Sequence, residues 1–240
     1  MLRTIIWFIY FFLYLAVVSP VWLYCNHKVK KGQRAQVQPT IEKMVTNWAS
    51  RLLWLAGGKV EVVGKENIPD ETAVFVSNHQ SDFDIPVVLT QVGKPHALMA
   101  KQSLAKIPGI HGWMKLLQCV FLDRDDEKQA VRALMDSTKL VKAGNSMTIF
   151  PEGTRSKGGP VKEFKGGAFR IATSAKVPIV PVTIEGTYHL LEERGRIHPG
   201  SVRVTIHKPI PTADMSRQEV RELPERVRTQ IISAMREQKA

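Results

Sequence analysis

The hydrophobic positions of this chain change their period twice. From Ile5 to Tyr24 the chain reads "IIWFIYFFLYLAVVSPVWLY" without a charge, a run of about the length needed to cross a hydrocarbon core. In "TIEKMVTNWASRLLWLAGG" the pattern becomes helical. Ile41, Met44, Val45, Trp48, Leu52 and Leu55 recur at helical spacing, Lys43 and Arg51 fall on other faces, and Gly57-Gly58 marks a stop. After Gly58, short apolar runs alternate with helical stretches. "KVEVVG", "TAVFVSN", "HALMA", "CVFLD", "SMTIFP", "PIVPVTIEG" and "VRVTIHKPI" predict strands, and "IPVVLTQVG", "LAKIPGIHGWMKLL", "KQAVRALMDSTKLVKAG" and "KGGAFRIATSA" predict helices or helical turns. Ser216 to Lys239 predicts a terminal amphipathic helix interrupted near Pro224. This alternation predicts an α/β fold with a largely parallel central sheet flanked by helices. An N-terminal membrane-binding helical segment, residues 1–58, precedes an α/β domain over 59–240.

The flanks of the apolar run orient it. Lys28, Lys30, Lys31 and Arg34 follow it, Arg3 alone precedes it, and no acid appears before Glu42. The positive-inside rule then puts the rest of the chain on the cytoplasmic side of the cell membrane. A cleaved signal peptide fits less well, because the run is dense in aromatics and has no evident A-x-A site. Pro20 and the scattered Trp and Tyr also permit a helix that dips into one leaflet. The following helix packs on a protein core or lies at the interface; two tryptophans beside basic residues favour the interface.

Composition adds the kind of partner. A formal net charge of +12 over 240 residues suits an anionic partner: nucleic acid, anionic membrane, acidic protein or phosphorylated substrate. Cys25 and Cys119 stand in unlike contexts and suggest neither a disulfide framework nor a thiolate zinc site.

Candidate chemistry begins at "SNHQSDFDIP", directly after the apolar run "TAVFV". Five residues turn a helix through about 500°, so His79 and Asp84 cannot share a helix face. A strand ending near Ser77, a loop through His79 and a helix starting between Asp82 and Pro86 would bring them together. Asp84 would then hold the imidazole and leave its other nitrogen free as a general base. Equally, Asp82 or Asp84 caps the helix and His79 is a loop residue bonded to backbone.

Other charged groups sit where strands are expected to end, and in α/β sheets ligands gather at those ends. "FPEGTRS" brings Glu152, Gly153, Thr154 and Arg155 off one strand together. Gly153 permits close backbone approach, Thr154 offers a hydroxyl and Arg155 a bidentate fork for phosphate. Lys101 follows "HALMA", Arg124 stands in "LDRDD", and Lys165 in "FKGGAFR" precedes a helix as a second possible anion site.

These blocks, taken together, resemble the glycerolipid acyltransferase family, specifically the bacterial 1-acyl-sn-glycerol-3-phosphate acyltransferases. Asn78, His79 and Asp84 match N-H-x-x-x-x-D; Lys101, Pro108, Gly109 and Arg124 fall in the second block; "FPEGTRS" is the third; Pro178 and Pro181 carry the fourth. The resemblance implies transfer of an acyl chain from an acyl carrier protein or coenzyme A thioester to the 2-hydroxyl of lysophosphatidate, with His79 and Asp84 catalytic. It implies that Lys101, Arg124, Glu152, Gly153, Thr154 and Arg155 hold the phosphate and acceptor. It also implies membrane lipids as partners, and no nucleic acid, cofactor or metal. Glycerol 3-phosphate or another lyso-lipid remains an alternative acceptor. "DFDIP" partly resembles the D-x-D of metal-dependent aspartate phosphatases, but there the first aspartate ends the strand directly, and here "SNHQS" intervenes. No G-x-S-x-G occurs to support a serine hydrolase, and a basic membrane-bound adaptor or nucleic-acid binder would leave the motif blocks unexplained.

Overall fold

The computed structural model describes residues 1–107, 109–123 and 125–235. All seven expected strands form: β1 (Gly58–Val63), β2 (Val74–Ser77), β3 (Ala97–Lys101), β4 (Val120–Leu122), β5 (Met147–Ile149), β6 (Ile179–Glu185) and β7 (Gly200–Ile206). They make one sheet in the order β1-β7-β6-β2-β5-β3-β4. From β6 to β4 every neighbouring pair is parallel. β7 is antiparallel to β6 and parallel to β1, so this pair runs against the rest.

The short strands read as near-continuous apolar runs because both faces of the sheet are covered. Along β2, Phe75 joins one core, while Val74 and Val76 join the other; successive strand residues point to opposite faces. The first core includes residues of α1 (Leu2–Val17), α2 (Ser19–Lys30), α3 (Arg34–Ala56), α4 (Asp84–Gln91) and α5 (Ile110–Leu116). The second is built with α6 (Glu127–Lys142), α7 (Gly166–Ala175) and α8 (Arg217–Ser233).

Two features depart from the sequence pattern. Helix α8 runs through Pro224 without a break. A proline inside a helix costs about 3 kcal/mol. Opposing that cost, Ser216 and Glu219 form a reciprocal capping box at its start, and Leu223, Val227 and Ile231 are fully buried. The charge-free N-terminal run is also two helices rather than one. It bends by 49° between α1 and α2, at the turn that carries Pro20, so no single helix among the described residues is long and apolar enough to cross a membrane. By length and composition the bent pair together passes that test.

Helix α3 packs one face on the protein core. Val37, Ile41, Val45, Ala49, Leu52, Leu53 and Ala56 are buried on it, and left-handed Gly57 ends it. Helix α1 is pinned along α3: Arg3 donates to the Ala56 carbonyl at 3.1 Å, Trp7 to Leu52 at 2.9 Å and Tyr14 to Met44 at 2.9 Å. The opposite face of α1 leaves Leu2, Ile5, Ile9, Phe12, Leu13 and Val17 more than half exposed. A continuous apolar face of this kind suits association with a membrane.

Candidate active site

The strand order decides which loops meet. β6, β2, β5 and β3 are parallel neighbours, so the loops leaving β2, β5 and β6 emerge at one end of the sheet, with Lys101 closing β3 beside them. The first carries His79, the second Glu152 to Arg155, and the third Thr187 and Glu192.

His79 and Asp84 meet, the first of the two arrangements that the spacing left open. His79 Nδ1 lies 2.7 Å from Asp84 Oδ2. A carboxylate only accepts, so Nδ1 carries a proton, and in the neutral ring Nε2 offers its lone pair. The His79 ring stacks on Phe150 with centroids 4.3 Å apart. Helix α4 starts at Asp84 with Pro86 in its first turn, but Asp84 does not cap it. Its Oδ2 also accepts from the Gln80 and Ser81 N–H groups at 2.7 and 3.0 Å, and its Oδ1 accepts from the Thr187 hydroxyl at 2.5 Å. Asp84 is fully buried, and His79 is 17% exposed.

The loop is held against the end of β6 by side chains that continue the sheet ladder. The Asn78 amide donates to the Ile184 carbonyl and accepts from its N–H, each at 2.8 Å. The Gln80 side chain accepts from Gly186 N–H at 3.0 Å. Gly186 has φ of +84°, and a Cβ there would lie 2.3 Å from the Ser201 carbonyl oxygen, so only glycine makes this turn.

Glu152 joins the β2 and β5 loops. One carboxylate oxygen accepts from His79 N–H at 2.7 Å and the other from Lys162 N–H at 3.0 Å. Burial pushes its carboxyl above the usual range, against the pull of those two backbone bonds. The Ser156 and Lys157 N–H groups return to the His79 and Gln80 carbonyls at 2.7 and 3.1 Å. Gly153 takes a φ of +78°, and its own N–H closes a turn on the Phe150 carbonyl. Thr154 is exposed. Arg155 Nη1 contacts the Asp82 carboxylate and lies 3.0 Å from Glu192 Oε1. Glu192 in turn accepts from the Ser81 hydroxyl at 2.6 Å and Asp82 N–H at 2.9 Å. Asp82 thus pairs outward with Arg155, while Asp84 turns inward to His79. Arg124 and Pro108 lie outside the described residues.

One cavity of about 970 Å³ connects these groups. Its polar lining includes His79, Lys101, Gly153, Thr154, Arg155 and Lys165, and its apolar lining includes Trp7, Phe11, Leu15, Met44 and Trp48 from the N-terminal helices. Leu134 of α6 and Ile149 of β5 also line it. Thr187 and Glu192 belong to no motif found in the sequence. The signal available was positional: both follow β6, whose end lies beside β2.

The model of the acyltransferase family matches residues 59–185. The chloroplastic 1-acyl-sn-glycerol-3-phosphate acyltransferase BAT2 of Brassica napus is 43% identical over 157 residues, covering 63% of this chain and 45% of that protein. The 1-acyl-sn-glycerol-3-phosphate acyltransferase of Haemophilus influenzae is 33% identical over 193 residues, 77% of this chain and 78% of that one. The crystal structure of the 1-acyl-sn-glycerophosphate acyltransferase from Thermotoga maritima superposes with a TM-score of 0.75 at 32% identity, covering 99% of both chains. The chain spans under two thirds of several relatives' lengths, 45% for the Brassica protein and 62% for one from Mycoplasma pneumoniae. This chain belongs to the acyltransferase family, and in sequence and fold it is similar to bacterial 1-acyl-sn-glycerol-3-phosphate acyltransferases.

Proposed function

We propose that this protein transfers an acyl chain from an acyl carrier protein or coenzyme A thioester to the 2-hydroxyl of 1-acyl-sn-glycerol 3-phosphate, giving phosphatidic acid. The observation that carries the reading is an imidazole that lines a large, mostly apolar cavity and has its Nδ1 fixed on a buried carboxylate. A free alcohol is a poor nucleophile near neutral pH. His79 Nε2 takes the hydroxyl proton as the new C–O bond forms, and Asp84 stabilises the imidazolium. Collapse of the tetrahedral intermediate breaks the C–S bond, and the departing thiolate takes the proton back from His79. No acyl-enzyme is required. The apolar cavity accepts the fatty chain, each methylene removed from water contributing about 0.8 kcal/mol.

Lys101, Thr154 and Arg155 are suited to the acceptor phosphate, with Arg124 assigned there by the motif alone. Glu152, with both oxygens on backbone N–H groups, would position these loops and not touch an anion. Arg155 uses Nη1 for its two described carboxylate contacts, which leaves Nε and Nη2 for a phosphate. Arg155→Lys is expected to raise the acceptor KM about 10- to 150-fold with the donor KM unchanged, since lysine keeps the charge but not the fork. Equal effects on both substrates with a lower melting temperature would assign Arg155 to the loop clasp instead.

The deciding experiment mixes detergent-extracted protein with an acyl thioester and lysophosphatidate. Thiol release that depends on the acceptor supports transfer; release of inorganic phosphate would mark a phosphatase. Glycerol 3-phosphate and other lyso-lipids, run with both carrier types, fix the substrates. The basic residues after the apolar run, Lys28, Lys30 and Lys31, support a cell-membrane location with the catalytic domain on the cytoplasmic side. Replacing Ile9 and Leu13 together by Asp is expected to weaken vesicle binding at least about 100-fold, because both apolar side chains would otherwise enter the bilayer. Full sedimentation of that variant with vesicles at high salt would move the anchor elsewhere.

A further inference from the structure

The Asp84 carboxylate divides its two oxygens unequally. Oδ2 receives three N–H groups, those of the His79 ring, Gln80 and Ser81. The described partner of Oδ1 is the Thr187 hydroxyl, at 2.5 Å, the short distance of an O–H donor on an ionised acceptor. Both residues are fully buried, so water has no ready access to replace the bond.

We propose that Thr187 is the positioning residue of the His79–Asp84 pair, its hydroxyl fixing the carboxylate plane so that Oδ2 stays on the imidazole Nδ1. The inference rests on the proposed acyl transfer through His79 and goes one residue deeper. Thr187 acts through Asp84 and does not touch substrate. It lies beyond the residues matched by the family model, which end at 185, and outside the motif blocks read from the sequence.

Its position follows from the fold. β6 pairs in parallel with β2, with Ser77 opposite Val182. The chain beyond β2 then runs beside the last residues of β6 and its exit, Asn78 against Ile184 and Gln80 against Gly186. Gly186 in the left-handed region turns the chain into the 3₁₀ turn Thr187–Leu190, whose first side chain meets Asp84. Without the hydroxyl, Oδ1 is an anionic oxygen left unsatisfied in a dry site. Rotation of the carboxylate toward a new donor would draw Oδ2 away from His79. A charged acceptor so deprived costs much more than a neutral one.

The test uses the full chain in detergent or nanodiscs. Thr187→Val keeps the shape and removes the hydroxyl; Thr187→Ser keeps the hydroxyl. Thr187→Val is expected to lower kcat about 10- to 100-fold, with both KM values unchanged. Thr187→Ser should restore most of it. In histidine-labelled protein, the downfield proton resonance of His79 Nδ1–H should shift or broaden in Thr187→Val and return in Thr187→Ser. Equal losses in the two variants, or an unchanged kcat and resonance in Thr187→Val, would overturn the proposal. The resonance is read without turnover. Failure of the wild-type protein to transfer acyl groups would therefore refute the proposed reaction while the positioning bond remained testable.

Discussion

Replacing His79 by alanine is expected to abolish acyl transfer while leaving the protein folded and membrane-bound. Removal of a general base costs roughly 10²–10⁴-fold in rate, and here the reacting group is an unactivated alcohol with no other base beside it in the proposed scheme. The fold has less to lose. His79 is partly exposed to the cavity, so water can occupy the vacated space and satisfy Asp84 Oδ2 together with the Gln80 and Ser81 N–H groups. The backbone N–H of residue 79, bonded to Glu152, survives the substitution, so the β2 and β5 loops stay joined. Turnover measured beside a melting curve separates the two effects. Normal turnover in the folded variant would end the assignment of His79 as base, and a collapsed melting curve would show that the ring's stacking on Phe150 supports the structure.

The sheet was legible because it is covered on both sides. Each strand from Val74–Ser77 to Gly200–Ile206 carries enough apolar residues to stand out against polar turns, and the alternation with helices gave the parallel architecture. His79 and Asp84 were legible for a different reason: their five-residue spacing excludes a common helix face and permits a turn that joins them, and with Asn78 they match the N-H-x-x-x-x-D block. What the sequence concealed depends on pairing at a distance. Thr187 is 103 positions from Asp84 and Glu192 is 37 positions from Arg155; no local spacing relates them, and only the parallel register of β2 with β6 brings the first pair together. Helix α3 left two readings open through its tryptophans. Trp54 is indeed exposed, but the face through Ile41, Val45, Ala49 and Leu52 is buried, and a periodic apolar face looks alike whether it meets lipid or protein. In the same way, hydropathy alone cannot report a bend at Pro20, because each half of the run is apolar throughout.

Asp84→Asn is expected to reduce turnover about 10²–10⁴-fold, the scale of what general-base catalysis contributes. The surroundings determine which way the amide sits. The Oδ2 position faces three N–H donors, so the amide NH2 cannot occupy it without three donor–donor contacts. The amide oxygen therefore takes the Oδ2 position and the NH2 faces the Thr187 hydroxyl, which can rotate and accept instead of donating. In this arrangement His79 keeps its proton on Nδ1 and Nε2 keeps its lone pair. The ring geometry is preserved, and the lost quantity is the negative charge that stabilises the imidazolium as the alcohol proton arrives. Two measurements check this account. The variant should retain the His79 Nδ1–H resonance, and both KM values should stay near wild type while kcat falls. A variant that lost the resonance would have flipped its amide or moved the loop, and the fall in rate would then report geometry instead of charge. Unchanged turnover with an intact resonance would remove Asp84 from the chemistry and leave it as the buried tie between the loops after β2 and β6.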